Sequence, residues 1–267
     1  MHKERIDLLL FERGLVESRS LAQRIIMAGN VRVDGQLVDK PSQKISRDAV
    51  ISIDAGPKYV SRGGEKLEPA LKQFMLTDLK GTICVDVGAS TGGFSDCLLQ
   101  HGALKVIAVD VGYGILHWKL RNDPRIEMRE RTNARFIKDF SQKIDLVTVD
   151  ASFISLKVLL PVIHNWLRVK GRVIALVKPQ FEAGRKDAAK GAGVIRDHEL
   201  HQRILLDIAT AAASEGFLVR DFMQSPIIGP KGNIEFLLDL QKEASAQVID
   251  EKIVDRISNF FEGIPPD

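Results

Sequence analysis

From residue 82 onward, short apolar runs alternate with helical patterns, and this alternation constrains the fold more than any other feature of the chain. The runs Ile83–Val87, Val106–Val109, Leu146–Val149 and Val173–Val177 are rich in β-branched side chains and lack polar alternation, as expected of strands buried on both faces. Helical stretches lie between and after them at Phe94–Gln100, roughly Ser155–Arg168, and His198–Ser214. Strand–helix alternation of this kind predicts a parallel, doubly wound sheet, that is, an α/β Rossmann-like domain. Two more strand-like runs, Phe217–Phe222 and Ile234–Leu240, predict an antiparallel edge pair, and an amphipathic helix over about Val248–Phe260 follows.

The first 54 residues follow a different plan. Ile6, Leu9, Leu10 and Leu15 recur at helical spacing, and a second helix carries Leu21, Ile25 and Ile26, with Ser18 or Ser20 as its cap and Gly29-Asn30 as its stop. The period then switches to two: Val31-Arg32-Val33, the turn pair Asp34-Gly35, then Leu37-Val38 predict a hairpin, with one more strand at Val50–Ile53. Residues 1–54 therefore read as a small α+β domain. Residues 55–64 (AGPKYVSRGG) have linker composition, a helix runs from about Glu65 to Phe74, and residues 65–267 form the larger domain.

Several classes are excluded by composition. Apolar residues make up 45% and charged residues 27% of the 267, ordinary values for a folded soluble protein rather than a disordered or fibrous one. Two cysteines, Cys84 and Cys97, cannot build a disulfide scaffold and point to a reducing compartment, and the six histidines show no metal-ligand spacing, so no metal is expected. The stretch from Ile144 to Val162 comes nearest to a membrane span but is broken by Asp145, Asp150 and Lys157, and the charged start Met1–Arg5 precedes no signal-peptide core. A cytoplasmic protein without membrane association is the expectation. The net charge of +3 permits a polyanionic partner without requiring one.

The chemistry begins at the turn after the first strand of the larger domain, Asp86-Val87-Gly88-Ala89-Ser90-Thr91-Gly92-Gly93-Phe94. Glycines there let backbone approach a ligand, and the following helix offers free N–H groups. The second strand ends at Asp110, 110 − 86 = 24 residues beyond Asp86, where a carboxylate can accept both hydroxyls of a ribose. The spacing is neither G-x-G-x-x-G nor the phosphate-cradling G-x-x-x-x-G-K-[ST]. Asp86, two residues before the first glycine, is awkward for a pyrophosphate and suits the amino group of a zwitterion such as the methionine end of S-adenosylmethionine. A dinucleotide or a purely structural turn are the alternatives at this point.

Ligands of open α/β sheets sit beyond the carboxyl ends of the strands. Asp150 and Lys178 end two strands, and Glu235 stands near the edge pair. A lysine directly after a buried strand, beside Pro179 and next to a strand ending in Asp150, predicts an ion pair facing the cleft.

With these residues the chain resembles the TlyA family, also called hemolysin A, whose catalytic half is similar to FtsJ-type ribose 2′-O-methyltransferases. Asp86–Phe94 resembles that group's S-adenosylmethionine loop, so the resemblance implies cofactor contacts at Asp86, Gly88, Ser90, Thr91, Gly92, Gly93, Phe94 and Asp110. The family's Lys-Asp-Lys-Glu tetrad maps onto Lys66, Asp150, Lys178 and Glu235, each within matching flanks such as Ser61–Leu67 and Gly232–Phe236. The N-terminal unit resembles the small RNA-binding domain of the S-four ribosomal protein, notably from Val33-Asp34-Gly35 through Lys40-Pro41-Ser42. What the resemblance implies is S-adenosylmethionine-dependent methylation of a ribose 2′-hydroxyl, a cytidine, in ribosomal RNA or a ribosomal subunit. In that chemistry Lys178 serves as base or orients the hydroxyl, Lys66 is the second cation, and the two acids hold the lysines.

The RNA side is read from charge. Arg5, Arg19, Arg24, Lys40, Lys44 and Arg47 are expected to form one basic face of the first domain, though residues 1–60 carry only 10 Lys/Arg against 8 Asp/Glu. The segment 178–196 holds five cations, including Arg185, Lys186 and Lys190, against two acids, with three glycines, and predicts a basic loop for phosphate contact. The competing readings are a membrane-active cytolysin, which the absence of a spanning segment argues against, and a non-catalytic RNA-binding assembly factor, which the complete tetrad argues against.

Overall fold

The computed structural model describes residues 3–54, 56–184, 193–245 and 248–262. The chain divides into two compact units, Met1–Lys58 and Tyr59–Asp267.

In the first unit, strand β1 (Lys3–Arg5) leads into helices α1 (Ile6–Glu12) and α2 (Arg19–Met27), followed by short strands β2 (Val31–Val33), β3 (Gln36–Val38), β4 (Lys44–Ser46) and β5 (Ile51–Ile53). Ser18 caps α2 by accepting the Leu21 N–H at 3.2 Å. Asp34 and Gly35 both take positive φ, +49° and +81°, the turn that matches strand twist in a two-residue hairpin. Strands β3-β2-β5 form one sheet and β1-β4 another, around a core of Ile6, Leu9, Leu10, Ala22, Ile26, Val31, Val38, Ile45 and Ala49. β1 and β4 escape the sequence reading because three residues with one buried side chain between them carry no period.

The second unit is a seven-stranded sheet with helices on both faces. Its elements are α3 (Gly63–Gln73), β6 (Ile83–Val87), α4 (Gly93–Gln100), β7 (Lys105–Val109), α5 (Trp118–Arg121), β8 (Ile126–Arg129), β9 (Ile144–Val149), α6 (Leu156–Trp166), β10 (Leu167–Val177), α7 (Pro179–Glu182), α8 (His198–Ser214), β11 (Phe217–Gln224), β12 (Phe236–Lys242) and α9 (Glu251–Glu262). The strand order is β11-β12-β10-β9-β6-β7-β8, with β12 antiparallel to both neighbours and the other contacts parallel. The expected edge pair is therefore present, with β12 inserted between β10 and β11. Edge strand β8 was not anticipated, because Ile-Glu-Met-Arg alternates polarity and lacks the apolar density of its inner neighbours.

Strand alternation sorts the core into two layers. Cys84, Val106, Leu146, Ile174 and Leu237 face α3 and α4, while Val85, Val109, Val147, Ala175 and Leu238 face α6, α8 and α9. Both cysteines are buried thiols outside any disulfide. Helix α6 stops at Trp166, two residues before its expected end, where Lys242 Nζ takes the His164 and Leu167 carbonyls at 2.6 and 3.1 Å and satisfies groups a longer helix would have used. The apolar side of α9 (Ile253, Ile257, Phe261) is buried in the core. No helix among the described residues is long and apolar enough to cross a membrane.

The linker reading of residues 55–64 is corrected at its end. The boundary falls between Lys58 and Tyr59, and Tyr59 is 1% exposed because its ring packs against the bare backbone of Gly64, where a Cβ would stand 2.2 Å from it. Pro and Gly composition marks the irregular backbone here but does not reveal that it is packed.

Candidate active site

The parallel strands end at one edge of the sheet, and the chain turns back across β6 to reach β9, which opens a crevice between the ends of those two strands. Gly88 follows β6 and Asp150 follows β9. Gly88 holds φ +80°, and a Cβ there would stand 2.7 Å from the Asp150 carbonyl oxygen, so only glycine permits this approach. Antiparallel β12 begins at the edge where β10 ends, with Phe236 opposite Val177, and this brings Glu235 to the mouth of the crevice. Lys66 arrives from α3. That helix is held against the glycine turn because a Cβ at Gly93 would lie 2.3 Å from Ser61 Oγ and 2.9 Å from Gly63 Cα.

The four expected catalytic residues form two ion pairs. Lys66 Nζ meets Glu235 Oε2 at 2.6 Å, and Lys178 Nζ meets Asp150 Oδ1 at 2.5 Å while donating to Ser152 Oγ at 3.0 Å. The lysines keep 11% and 10% of their side-chain surface, and Glu235 keeps none. Charges this secluded persist only when paired, since an unpaired ammonium would cost several kcal/mol of lost hydration, roughly.

Two adjoining cavities of about 220 and 470 Å³ share Gly88, Ser90 and Asp150. The smaller is lined by Lys66, Arg62, Thr91, Gly93 and Phe94 among others. The larger runs past Asp110, with an apolar wall from Val111, Ile115, Ala134 and Leu159. Asp110 accepts the Ser90 and Gly112 N–H groups at 2.8 and 2.7 Å, which aims its carboxylate and leaves each oxygen a further lone pair. Gly92 is the left-handed N-cap of α4 and stands against Leu116 and Leu120 instead of the cavities.

Asp86 requires correction. Its carboxylate is fully buried, accepting Ser95 Oγ at 2.7 Å and Thr148 Oγ1 at 3.0 Å, and it lines neither cavity. Alternation from Cys84 puts it on the α4 side of the sheet, below the turn. Burial pushes its carboxyl up to about 6, against the opposing pull of the Ser95 and Thr148 hydrogen bonds. It anchors β6 to α4 and β9 and has no open face for a cofactor.

Sequence reasoning also missed residues here. Glu182 in α7 accepts Ser155 Oγ at 2.5 Å and the Leu156 N–H at 2.8 Å, tying the segment after Lys178 to the segment after Asp150, and burial raises its carboxyl above the ordinary value. Between these ties Phe153 takes φ +64° and stands 89% exposed, its ring 4.9 Å from that of Phe181. Near the larger cavity, Arg131 covers the exposed ring of Tyr113 at 4.3 Å and Arg135 that of Phe136 at 4.4 Å. Only a count of arginines beside aromatics on the connections after β7 and β8 could have found them.

In the first unit, Asp7 is fully buried and accepts from Arg5 (2.9 and 3.0 Å), Arg19 (2.9 Å) and Gln23 (2.9 Å). Lys44 lies opposite Arg5 in the β1–β4 register. Three of the expected cations therefore share a neighbourhood. Arg24 and Lys40 are exposed, and Arg47 pairs with Glu12 at 2.7 Å. Arg185, Lys186 and Lys190 lie outside the described residues. Among the described residues no group of three or more His, Cys, Asp or Glu is arranged to hold a metal ion.

The FtsJ-like methyltransferase family matches residues 59–242, and the S4 domain matches residues 4–51. The chain is 42% identical over 245 residues to the 16S/23S rRNA (cytidine-2′-O)-methyltransferase TlyA of Mycobacterium tuberculosis, covering 90% of this chain and 91% of that protein. It is 46% identical over 236 residues to Hemolysin A of Brachyspira hyodysenteriae, covering 87% and 98%. A solved structure from Streptococcus thermophilus that carries a hemolysin designation superposes with a TM-score of 0.70 at 42% identity, covering 98% of both chains.

Proposed function

Because the chain belongs to the TlyA family of FtsJ-like methyltransferases, we propose that it transfers a methyl group from S-adenosylmethionine to the 2′-hydroxyl of a cytidine in ribosomal RNA. The observation that carries this reading is the pairing of Lys66 with Glu235 and Lys178 with Asp150 around the Gly88 turn.

The residues present fit S-adenosylmethionine. Gly88 leaves room for a ligand to lie against bare backbone, Asp110 offers preorganised acceptors for a ribose diol, and the apolar wall beyond it suits an adenine face. We assign Gly88, Ser90 and Asp110 to the nucleoside, and Thr91, Gly93 and Phe94 to the amino-acid end. Asp86 and Gly92 act behind them by shaping the turn. Bound there, the cofactor supplies an electrophilic methyl group on a positively charged sulfur.

The chain's own side chains do the rest. A ribose hydroxyl is a weak nucleophile: as its oxygen bonds the methyl carbon, the methyl–sulfur bond would break and the hydroxyl proton would pass to solvent water, since both lysines are held as ammonium ions by their carboxylates. Lys178 orients its oxygen through a charge-assisted hydrogen bond and stabilises the negative charge that develops there. Asp150 fixes the direction of that ammonium, and Lys66, held by Glu235, adds a second positive charge at the cavity wall. Alignment of hydroxyl and methyl supplies much of the rate. The Arg5–Asp7–Arg19 cluster is assigned to RNA phosphates, and the Arg131–Tyr113 and Arg135–Phe136 pairs to unpaired nucleotides near the site, since arginine and aromatic faces together stack bases. We assign the protein's work to the cytoplasm, on ribosomal RNA.

The test is tritiated methyl incorporation into ribosomal subunits followed by nucleoside mapping. Label in 2′-O-methylcytidine supports the proposal. Label in a base, or binding of NAD without S-adenosylmethionine, overturns it.

A further inference from the structure

Glu235 presents an oddity. Its Oε2 holds Lys66, but its Oε1 is buried without a hydrogen-bond partner. What lies against that oxygen is the backbone of Gly229. A Cβ at Gly229 would stand 2.3 Å from Glu235 Oε1, 2.7 Å from Glu235 Cδ and 3.2 Å from the Asn233 carbonyl oxygen. Gly229 holds φ −66° and ψ 174°, a backbone that any L-residue adopts without strain. The glycine is therefore needed for the volume its missing side chain leaves, since its backbone demands nothing of it. That volume is where the carboxylate sits.

The surrounding turn gives the seat its rigidity. The Gly229 N–H reaches the Asn233 carbonyl at 2.8 Å, and the Ser225 N–H reaches the Glu235 carbonyl at 2.8 Å, which closes the segment on itself. Asn233 is buried, receives the Ile195 N–H at 3.0 Å and donates to the Gly193 carbonyl at 2.9 Å. With both ends of the turn fixed in this way, the carboxylate has one place to go and cannot retreat from an intruding atom without leaving Lys66.

We propose that Gly229 is a positioning residue for methyl transfer: the space at its missing side chain seats the Glu235 carboxylate, and through Glu235 it fixes the Lys66 ammonium at the cavity wall. The catalytic part of this statement rests on the function proposed above, and the seat itself does not. A methyl group at position 229 displaces the carboxylate, Lys66 loses its fixed partner, and the second cation leaves its station while all four charged residues remain present.

The experiment is a cycle of Gly229→Ala, Glu235→Ala and the double variant in the full chain, read by melting temperature and by single-turnover methyl transfer to ribosomal subunits, with S-adenosylmethionine affinity measured alongside. Gly229→Ala is expected to slow transfer by about 10²-fold, the scale of a misplacement near 1 Å, while cofactor affinity changes little because neither Gly229 nor Glu235 is among the residues assigned to the cofactor. It should lower the melting temperature in the parent background and cost little more in the Glu235→Ala background, where no carboxylate is left to displace. Melting-temperature losses that add independently would overturn the seat, even if no RNA were methylated by any variant. A parent-like transfer rate for Gly229→Ala would overturn the positioning role. Absence of transfer in the parent itself would count against the proposed function and leave the melting cycle to decide the seat.

Discussion

Lys178 and Asp150 grow from the ends of adjacent parallel strands, and their charged groups meet at 2.5 Å, with the Ser152 hydroxyl taking a second N–H of the same ammonium. The pairing gives Lys178 a fixed direction before any substrate arrives. Lys178→Ala is expected to slow methyl transfer by roughly 10²–10³ while leaving S-adenosylmethionine affinity within a few fold. Lys178→Arg should recover little, because a planar guanidinium cannot reproduce a point charge held between Asp150 and Ser152. Methyl incorporation with calorimetric cofactor binding as control decides it, and near-parent incorporation by the alanine variant would remove Lys178 from the mechanism.

Asp110 carries two duties, since its oxygens hold the Ser90 and Gly112 N–H groups and face the larger cavity. Asp110→Ala should weaken S-adenosylmethionine binding by about 1–3 kcal/mol. Asp110→Asn keeps one acceptor and should fall between the two. Calorimetry reads both, and an alanine variant with parent affinity would place the ribose elsewhere.

Asp86 should behave in the opposite way. Because its carboxylate faces Ser95 and Thr148, Asp86→Asn is expected to leave cofactor affinity nearly unchanged. Its signature is in stability. Burial favours the neutral acid, so that contribution is whole below the unfolded value near pH ~4 and is lost as pH climbs through about 6. Asp86→Asn, which cannot ionise, should therefore gain melting temperature relative to the parent between about pH 4 and pH 7. A difference that stays flat with pH would refute the buried-acid account.

Asp7 has the reverse sign. Burial alone would raise its carboxyl, but hydrogen bonds from Arg5, Gln23 and Arg19 outweigh that and hold it well below the usual carboxylate range. The stability it contributes is present above about pH 4 and fades as pH falls further. Asp7→Asn should loosen the first unit by about 1–3 kcal/mol near neutrality, the scale for a hydrogen-bonded charge, and converge on the parent in acid. It should also weaken RNA binding, because Arg5 and Arg19 lose their common anchor. Hydrogen exchange of the α1 and α2 amides across pH, with an RNA titration at two salt concentrations, reads both effects.

Removing residues 1–58 should leave a folded unit that binds cofactor, with lower RNA affinity and a shallower salt dependence. Removing residues 1–64 should not, because Tyr59, the Gly63–Gly64 contact and the start of α3 go with it. Circular dichroism and calorimetry of the two truncations separate these outcomes.

How much of this was legible in the sequence depended on how far each signal reached along the chain. Strands β6, β7, β9 and β10 announced themselves because burial on both faces demands unbroken apolar runs. β1, β4 and β8 did not, since each is a short edge whose polarity follows its neighbours in space. The Lys178–Asp150 pair followed from two strand ends that adjoin in the sheet. The Lys66–Glu235 pair spans 169 positions and was reached through family resemblance. Asp86 misled because its place before the glycines suggested ligand contact, while the two-residue period of β6 had already turned it into the core. Asp7 and Glu182 stayed hidden because a buried carboxylate is recognised by its donors, and these are defined by the fold.

Two glycines where α3 meets α4 set a manufacturing tolerance for the enzyme. Gly64 and Gly93 leave no clearance, with a Cβ 2.2 Å from the Tyr59 ring and 2.3 Å from Ser61 Oγ, so any side chain there acts as a shim beneath the helix that carries Lys66. Such a shim would remove no atom of Lys66, Asp150, Lys178 or Glu235 themselves, yet it would lift one cation off its bearing. A substitution at Glu65, whose side chain is exposed beside them, carries no such consequence. Two neighbours in the chain thus differ in what they can absorb, and the less tolerant one has no functional group at all.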